Sequence, residues 1–200
     1  MSNRIKLQAT GFEIFPLCLG GNVFGWSANE EESFAVLDAF YEAGGNFIDT
    51  ADVYSEWVEG NSGGDSESIL GKWMASRGNR TEMIIATKVA KFSKYPGLAP
   101  DNIKSAIEGS LKRLQSDYVD LYYAHEDDEK VSQHDVMGAF DSLVKAGKVR
   151  KVGASNFSGE RLRSSLATSK ESGLVQFSAL QNHYNLLERS EFESDAGKVA

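Results

Sequence analysis

Cysteine is almost missing from this chain. Cys18 is the single thiol in 200 residues, so an intramolecular disulfide is excluded, and no CxxC or Cys/His spacing suggests a structural metal site. A reducing cytoplasm is the expected compartment. Positive charge is also scarce: 21 basic residues face 29 acidic ones, for a net charge of -8, and no basic cluster is dense enough to neutralise a row of phosphates. Nucleic acid is not an expected partner. Long apolar runs are absent as well. The longest charge-free stretch, Ile14 to Asn29, is interrupted by Pro16, Gly20, Gly21 and Gly25, and the opening "MSNRIKLQATGFEIF" lacks the apolar core of a signal peptide. Neither an export signal nor a membrane span is expected. A Gly-x-Gly-x-x-Gly phosphate loop is missing too, so no dinucleotide-fold site is foreseen. What remains is ordinary for a folded protein, 41% hydrophobic and 25% charged.

Apolar runs and helical patterns alternate along the chain. "FPLCLGG" reads as a first strand, followed by a helix from Asn29 to Ala43: Asn29 and Glu32 suit a capping box, Phe34, Leu37 and Tyr41 recur at helical spacing, and Gly44 supplies the stop. "NFIDT" is the second strand, Asp65 to Ser76 the second helix and "MIIATK" the third strand. Helix three runs from Pro100 to Leu114, with Ile103, Ala106, Ile107, Leu111 and Leu114 on one face. "YVDLYYAH", a helix from His134 to Ala146, "VRKVGASN", a helix from Gly159 to Ser172 and "FSALQN" complete the series. Strand and helix recur without a linker or composition shift, which predicts one α/β domain over residues 1–200 with parallel strands. The opening "RIKLQATGFEI" suits a separate hairpin around Gly11, placed to plug one end of a barrel.

The strands end in chemistry. Strand two stops at Asp49, three at Lys88, four at His125, five at Ser155 and Asn156, and six at Gln181 and Asn182. In parallel βα folds these carboxyl ends meet at one face, where sites are built. Each residue also has a structural reading: Asp49 as a turn cap, Lys88 as a surface lysine, His125 as a core histidine, Tyr54 and Trp57 as packing aromatics. Together they say more. An ammonium beside Tyr54 lowers the phenol from its usual pKa of about 10, a carboxylate holds that ammonium charged, and the tyrosine becomes a proton donor near neutral pH. Gly20 and Gly21 offer either close backbone approach to a ligand or a plain tight turn. Phe24, Trp26 and Trp57 are candidates for the lining of a substrate pocket, with core packing as the competing role.

Five segments, "NFIDTADVYS", "IIATKVA", "SLKRLQSDYVDLYYAH", "GKVRKVGASNFS" and "LQNHYNLLER", resemble in order the signature segments of the aldo/keto reductases, covering Leu17 to Arg189. The resemblance implies a (β/α)8 TIM barrel and a catalytic tetrad at Asp49, Tyr54, Lys88 and His125. It implies NADP(H) as cofactor, its nicotinamide carboxamide held by Ser155, Asn156 and Gln181, with Gly20 and Gly21 as further candidates for close backbone approach to the cofactor. It further implies a small-molecule carbonyl substrate, reduced by hydride transfer with Tyr54 as general acid, Lys88 and Asp49 tuning it and His125 orienting the carbonyl.

Two departures accompany the match. The acidic run "EDDEK" after His125 reads as a solvated loop. Family members continue through two further βα units, where the adenosine 2′-phosphate of NADP is typically held. The expectation is therefore a barrel truncated after strand six, open by two strands, that by itself binds NADPH weakly or not at all. Two rival functions stand beside carbonyl reduction. Lys88 at a strand end suits a Schiff-base aldolase, and barrels resembling this family serve as non-catalytic, cofactor-binding regulatory subunits. The substrate and the oligomeric state stay open.

Overall fold

Turn chemistry at Gly11 shapes the first element of the computed structural model, which describes residues 4–199. Strands β1 (Ile5–Leu7) and β2 (Phe12–Ile14) pair antiparallel, and Gly11 between them takes a φ of 75°, the left-handed region that glycine enters without steric cost. The expected hairpin is present.

Six parallel strands follow: β3 (Leu19–Gly20), β4 (Phe47–Asp49), β5 (Ile84–Val89), β6 (Val119–Ala124), β7 (Val149–Ser155) and β8 (Leu180–Gln181), neighbours in sequence being neighbours in the sheet. Helices α1 (Glu30–Glu42), α2 (Asp65–Arg77), α3 (Pro100–Leu114), α4 (Gln133–Lys145) and α5 (Gly159–Ser172) connect them, and a short α6 (Ser190–Ser194) follows β8. The helix starts are chemically set. Asn29 and Glu32 form the reciprocal capping box of α1, Ser132 and Ser158 cap α4 and α5, and Pro100 opens α3 where a missing N–H costs nothing.

The sheet rolls. The Gln181 side chain on the sixth strand donates to Asp49 on the second, 3.2 Å away, a reach that a flat sheet of these strands would not permit. The result is a six-stranded parallel half-barrel, open between β3 and β8. Both edge strands are shorter than "FPLCLGG" and "FSALQN" suggested, two residues each. An edge strand has ladder partners on one side only, and Pro16 has no N–H to give.

Alternation along the strands divides the core in two. Ile48, Ile85, Val89, Tyr122, Val152 and Ala154 face the helices, where they pack with Leu70, Trp73, Ile107 and Phe140. Phe47, Ile84, Ala86, Leu121 and Tyr123 face the lumen and meet Phe12 and Ile14 of the hairpin, which closes the end from which the strands start. Beyond this plug, the same lumen-facing parity brings Asp49, Lys88, Ser155 and Gln181 to the opposite rim. Among the described residues no helix is long and apolar enough to cross a membrane.

Candidate active site

Lys88 is wholly buried, and its three ammonium hydrogens all have acceptors: Asp49 Oδ2 at 2.6 Å, the Thr50 carbonyl at 2.8 Å and the Tyr54 hydroxyl at 2.9 Å. A primary ammonium has three hydrogens to give, so this set is complete. Burial pulls the lysine down, but Asp49 and Tyr54 together hold it above its ordinary value. No amine lone pair is left for carbonyl attack, which works against the Schiff-base alternative. Because the Tyr54 oxygen accepts from Lys88, its own proton is free to point at a ligand.

Tyr54 departs from expectation in one respect. Burial raises its pKa above 10, and the lowering by the Lys88 charge does not compensate. The phenol is therefore protonated at neutral pH, the form an acid must have. Its position is fixed on both sides. Thr50 N and Asp52 N extend the pairing of β4 onto the Ala86 and Lys88 carbonyls at 2.8 and 3.3 Å, and Ser55, buried with a φ of 69°, donates from Oγ to the Phe24 carbonyl at 2.8 Å. Sequence reasoning assigns no role to Thr50, Asp52 or Ser55. The left-handed backbone of Ser55 has no sequence marker, since glycine or asparagine is the usual signal.

His125, one residue past β6, lies with its ring 6.0 Å from that of Tyr54. Burial first, then the Lys88 and Lys91 charges, pull it down to about 3. Its imidazole is neutral at pH 7 and serves as a hydrogen-bonding group, not as a cation. Cys18 and Tyr123 share the lumen. The thiol, reachable by solvent yet densely surrounded, is pushed up to about 12 by burial and by Asp49, so it is no thiolate.

Ser155, Asn156 and Gln181 gather beside this group. Asn156, with a φ of 56°, donates to the His125 carbonyl at 2.8 Å and to Ser155 Oγ at 3.1 Å, and its amide N–H bonds the Gln181 carbonyl at 3.3 Å. A hydroxyl and two carboxamides in one patch supply both donors and acceptors, the set that a ligand carboxamide needs. The residues present fit a nicotinamide.

At Gly21 and Phe24 the structural one of the two open readings is seen. Gly21 is buried and its amide donates to the Asp49 carbonyl at 2.8 Å; a Cβ there would meet Ser66 Oγ at 3.0 Å and the Asp49 carbonyl at 3.1 Å. Its close approach is to protein, and the Phe24 amide closes a turn on its carbonyl at 3.1 Å. Gly20 is exposed and open. Phe24 is 1% exposed within the main core, so it packs and does not line a pocket. An aromatic in a loop has no periodicity to say which way it faces. Trp26 and Trp57 are half exposed, set edge to face at 5.6 Å, with Trp57 6.3 Å from Tyr54. They form an aromatic wall at the rim. Two of the four acids in the acidic loop are paired with cations, Glu126 with Lys91 at 3.3 Å and Asp127 with Arg161 at 2.5 Å, while Asp128 accepts the Leu98 amide at 2.9 Å.

Parallel βα units that bring titratable side chains to the carboxyl ends of their strands have the architecture of barrel enzymes. The chain belongs to the aldo/keto reductase family, whose model matches residues 16–196. It is 36% identical over 210 residues to a norsolorinic acid reductase of Aspergillus flavus, covering 96% of this chain and 52% of that protein. It is 36% identical over 193 residues to the uncharacterized oxidoreductase YrpG of Bacillus subtilis (92% and 58%). With an aryl-alcohol dehydrogenase of Pestalotiopsis microspora it shares 33% identity over 203 residues (94% and 51%). The chain spans about half the length of the curated relatives it matches.

Proposed function

We propose that the protein reduces aldehyde or ketone carbonyls to alcohols, with NADPH as reductant and Tyr54 as general acid. One observation carries this reading: a buried lysine with its hydrogens committed to Asp49, Thr50 and Tyr54, leaving the tyrosine proton as the one to be given away. A reduced nicotinamide, held by Ser155, Asn156 and Gln181, supplies the hydride when bound. Tyr54 gives its proton to the carbonyl oxygen as negative charge develops there. The phenolate so formed lies 2.9 Å from the Lys88 ammonium, which stabilises it most when the charge is greatest. Asp49 keeps Lys88 charged and in place. Neutral His125 donates a hydrogen bond to the same carbonyl oxygen and orients it.

Trp26 and Trp57 favour a flat, apolar substrate such as an aryl aldehyde, in keeping with the names of the aryl-alcohol dehydrogenase and norsolorinic acid reductase relatives. A cytoplasmic location suits the single thiol. The test is consumption of NADPH by the full-length protein across a panel of aryl aldehydes. Tyr54→Phe is expected to lose about 10²–10⁴-fold in kcat with cofactor affinity unchanged, the range for a positioned general acid. No turnover of any panel member, or a Tyr54→Phe enzyme with most of its kcat, would defeat the reading.

A further inference from the structure

Behind the site, in the layer between strands and helices, lies a cluster of polar side chains that the chemistry above does not use. Glu67 of α2 is wholly buried; its two oxygens take Thr87 Oγ1 of β5 at 2.5 Å and Arg113 Nε of α3 at 2.7 Å. Asp52, two residues before Tyr54, is also wholly buried, and neither of its oxygens finds a hydrogen-bond partner among the described residues. The Tyr122 hydroxyl of β6, fully buried, is likewise without a partner and feels the charges of Asp52, Glu67 and Arg113. These two orphans belong to one cluster.

Its charges do not balance if every acid is ionised. Two carboxyls share one guanidinium, and Arg113 is already engaged by Glu67. Glu56, on the same loop as Asp52, adds further negative potential, while the nearby Val53 amide eases it without completing a hydrogen bond. An ion held away from water without a partner is among the most costly arrangements a fold can contain, and such a group neutralises instead. The carboxyl pKa is accordingly pushed up to about 8, by burial first and the Glu67 charge second, with Arg113 only partly offsetting them.

We propose that Asp52 is a positioning residue carried as a neutral acid, and that its ionisation draws the Thr50–Tyr54 segment out of register and displaces the Tyr54 phenol. The lever is short. Asp52 N holds the Lys88 carbonyl by a bond already 3.3 Å long, and Tyr54 N bonds the Ala51 carbonyl at 3.2 Å. A carboxylate turning toward water strains both. Activity then has an alkaline limb set by Asp52, one side chain removed from the reacting atoms.

Linkage gives a second consequence. The folded protein keeps a proton on Asp52 that the unfolded chain loses near pH 4, so this group's contribution to stability falls as pH rises from about 4 to about 8 and is flat above. The alkaline limb of activity rests on the proposed reaction, whereas the ionisation and the displacement are read without turnover and stand or fall separately from it.

The experiment is a pH titration of the full-length protein by infrared difference spectroscopy, with the Trp57 emission, taken as wild type minus Trp57→Phe, followed in parallel. A protonated-carboxyl band present at pH 6 is expected to vanish with a midpoint near 8, together with a change in that emission. Asp52→Asn, an isostere of the neutral acid, is expected to fold normally and to remove both transitions. Glu67→Gln, which frees Arg113 to serve Asp52, is expected to move the midpoint down by at least one pH unit. A band or emission change that survives Asp52→Asn would overturn the proposal, as would an Asp52→Asn protein that does not fold, or a Glu67→Gln midpoint that stays in place.

Discussion

His125 shows what a half-dry lumen does to an ordinary side chain. Its folded pKa of about 3 lies below the usual value near 6.5, because burial and the Lys88 and Lys91 charges oppose a third cation. The sign follows from proton counting. Between about pH 3 and 6.5 the unfolded chain binds a proton at this position that the folded chain refuses, so stability from His125 is present above that window and is lost as the solution is acidified through it. Thermal unfolding measured from pH 7 to pH 4 should show a steeper loss of Tm for the wild type than for His125→Asn. Parallel curves would mean that the ring is solvated and not confined. Lys88 illustrates the opposite balance: a deeper burial is outweighed by two partners, so the charge stays where the phenol needs it.

At the level of elements, α2 and α3 meet backbone to backbone at Gly71, where a Cβ would collide with the Arg113 carbonyl and come within 2.7 Å of Leu114 C. Gly138 in α4 has open space around the same position. Alanine raises helix propensity at both by roughly 1 kcal/mol, but overpacking costs about 1–3 kcal/mol where backbone cannot give way. Gly71→Ala should therefore lower the denaturation midpoint and Gly138→Ala should raise it; a stabilised Gly71→Ala would show that the two helices can part. Helices such as α3 and α5 have the bounds expected from sequence, α3 because its apolar face and its proline start agree, although it ends on a left-handed Gln115 and not on a glycine. The rim of Asp49, Lys88, His125, Ser155 and Gln181 was legible for a similar reason: a period of two places strand-end residues on the lumen side. The cluster of Asp52, Glu67, Thr87 and Arg113 was not. Polar residues on a loop and on helix surfaces read as solvated, and their burial arises only when elements distant in sequence are packed together. The pKa of Tyr54 was hidden for the same reason, as depth is a property of the assembled barrel.

Over the described residues, cover is graded from the middle of the sheet to its edges. Strands β5, β6 and β7 have neighbours on both sides and helices behind them, whereas β3 and β8 are paired on one side, and Leu186 and Leu187 just beyond β8 are each 91% exposed. Local opening follows cover. Native-state hydrogen exchange should find the amides of β5 and β6 slowest, near the global limit, and those of β3, β8 and α6 faster by orders of magnitude. Uniform protection across all six strands would place the weak points elsewhere.

The bond from Gln181 to Asp49 joins positions 132 residues apart and spans the lumen at the very patch suited to a carboxamide. It acts as a clasp that leaves, among the described residues, one side-chain N–H of Gln181 and the side-chain carbonyl oxygen unspent, because an amide nitrogen carries two hydrogens and the amide oxygen accepts. A guest at this patch therefore meets a donor and an acceptor already aimed and held in place by Asp49.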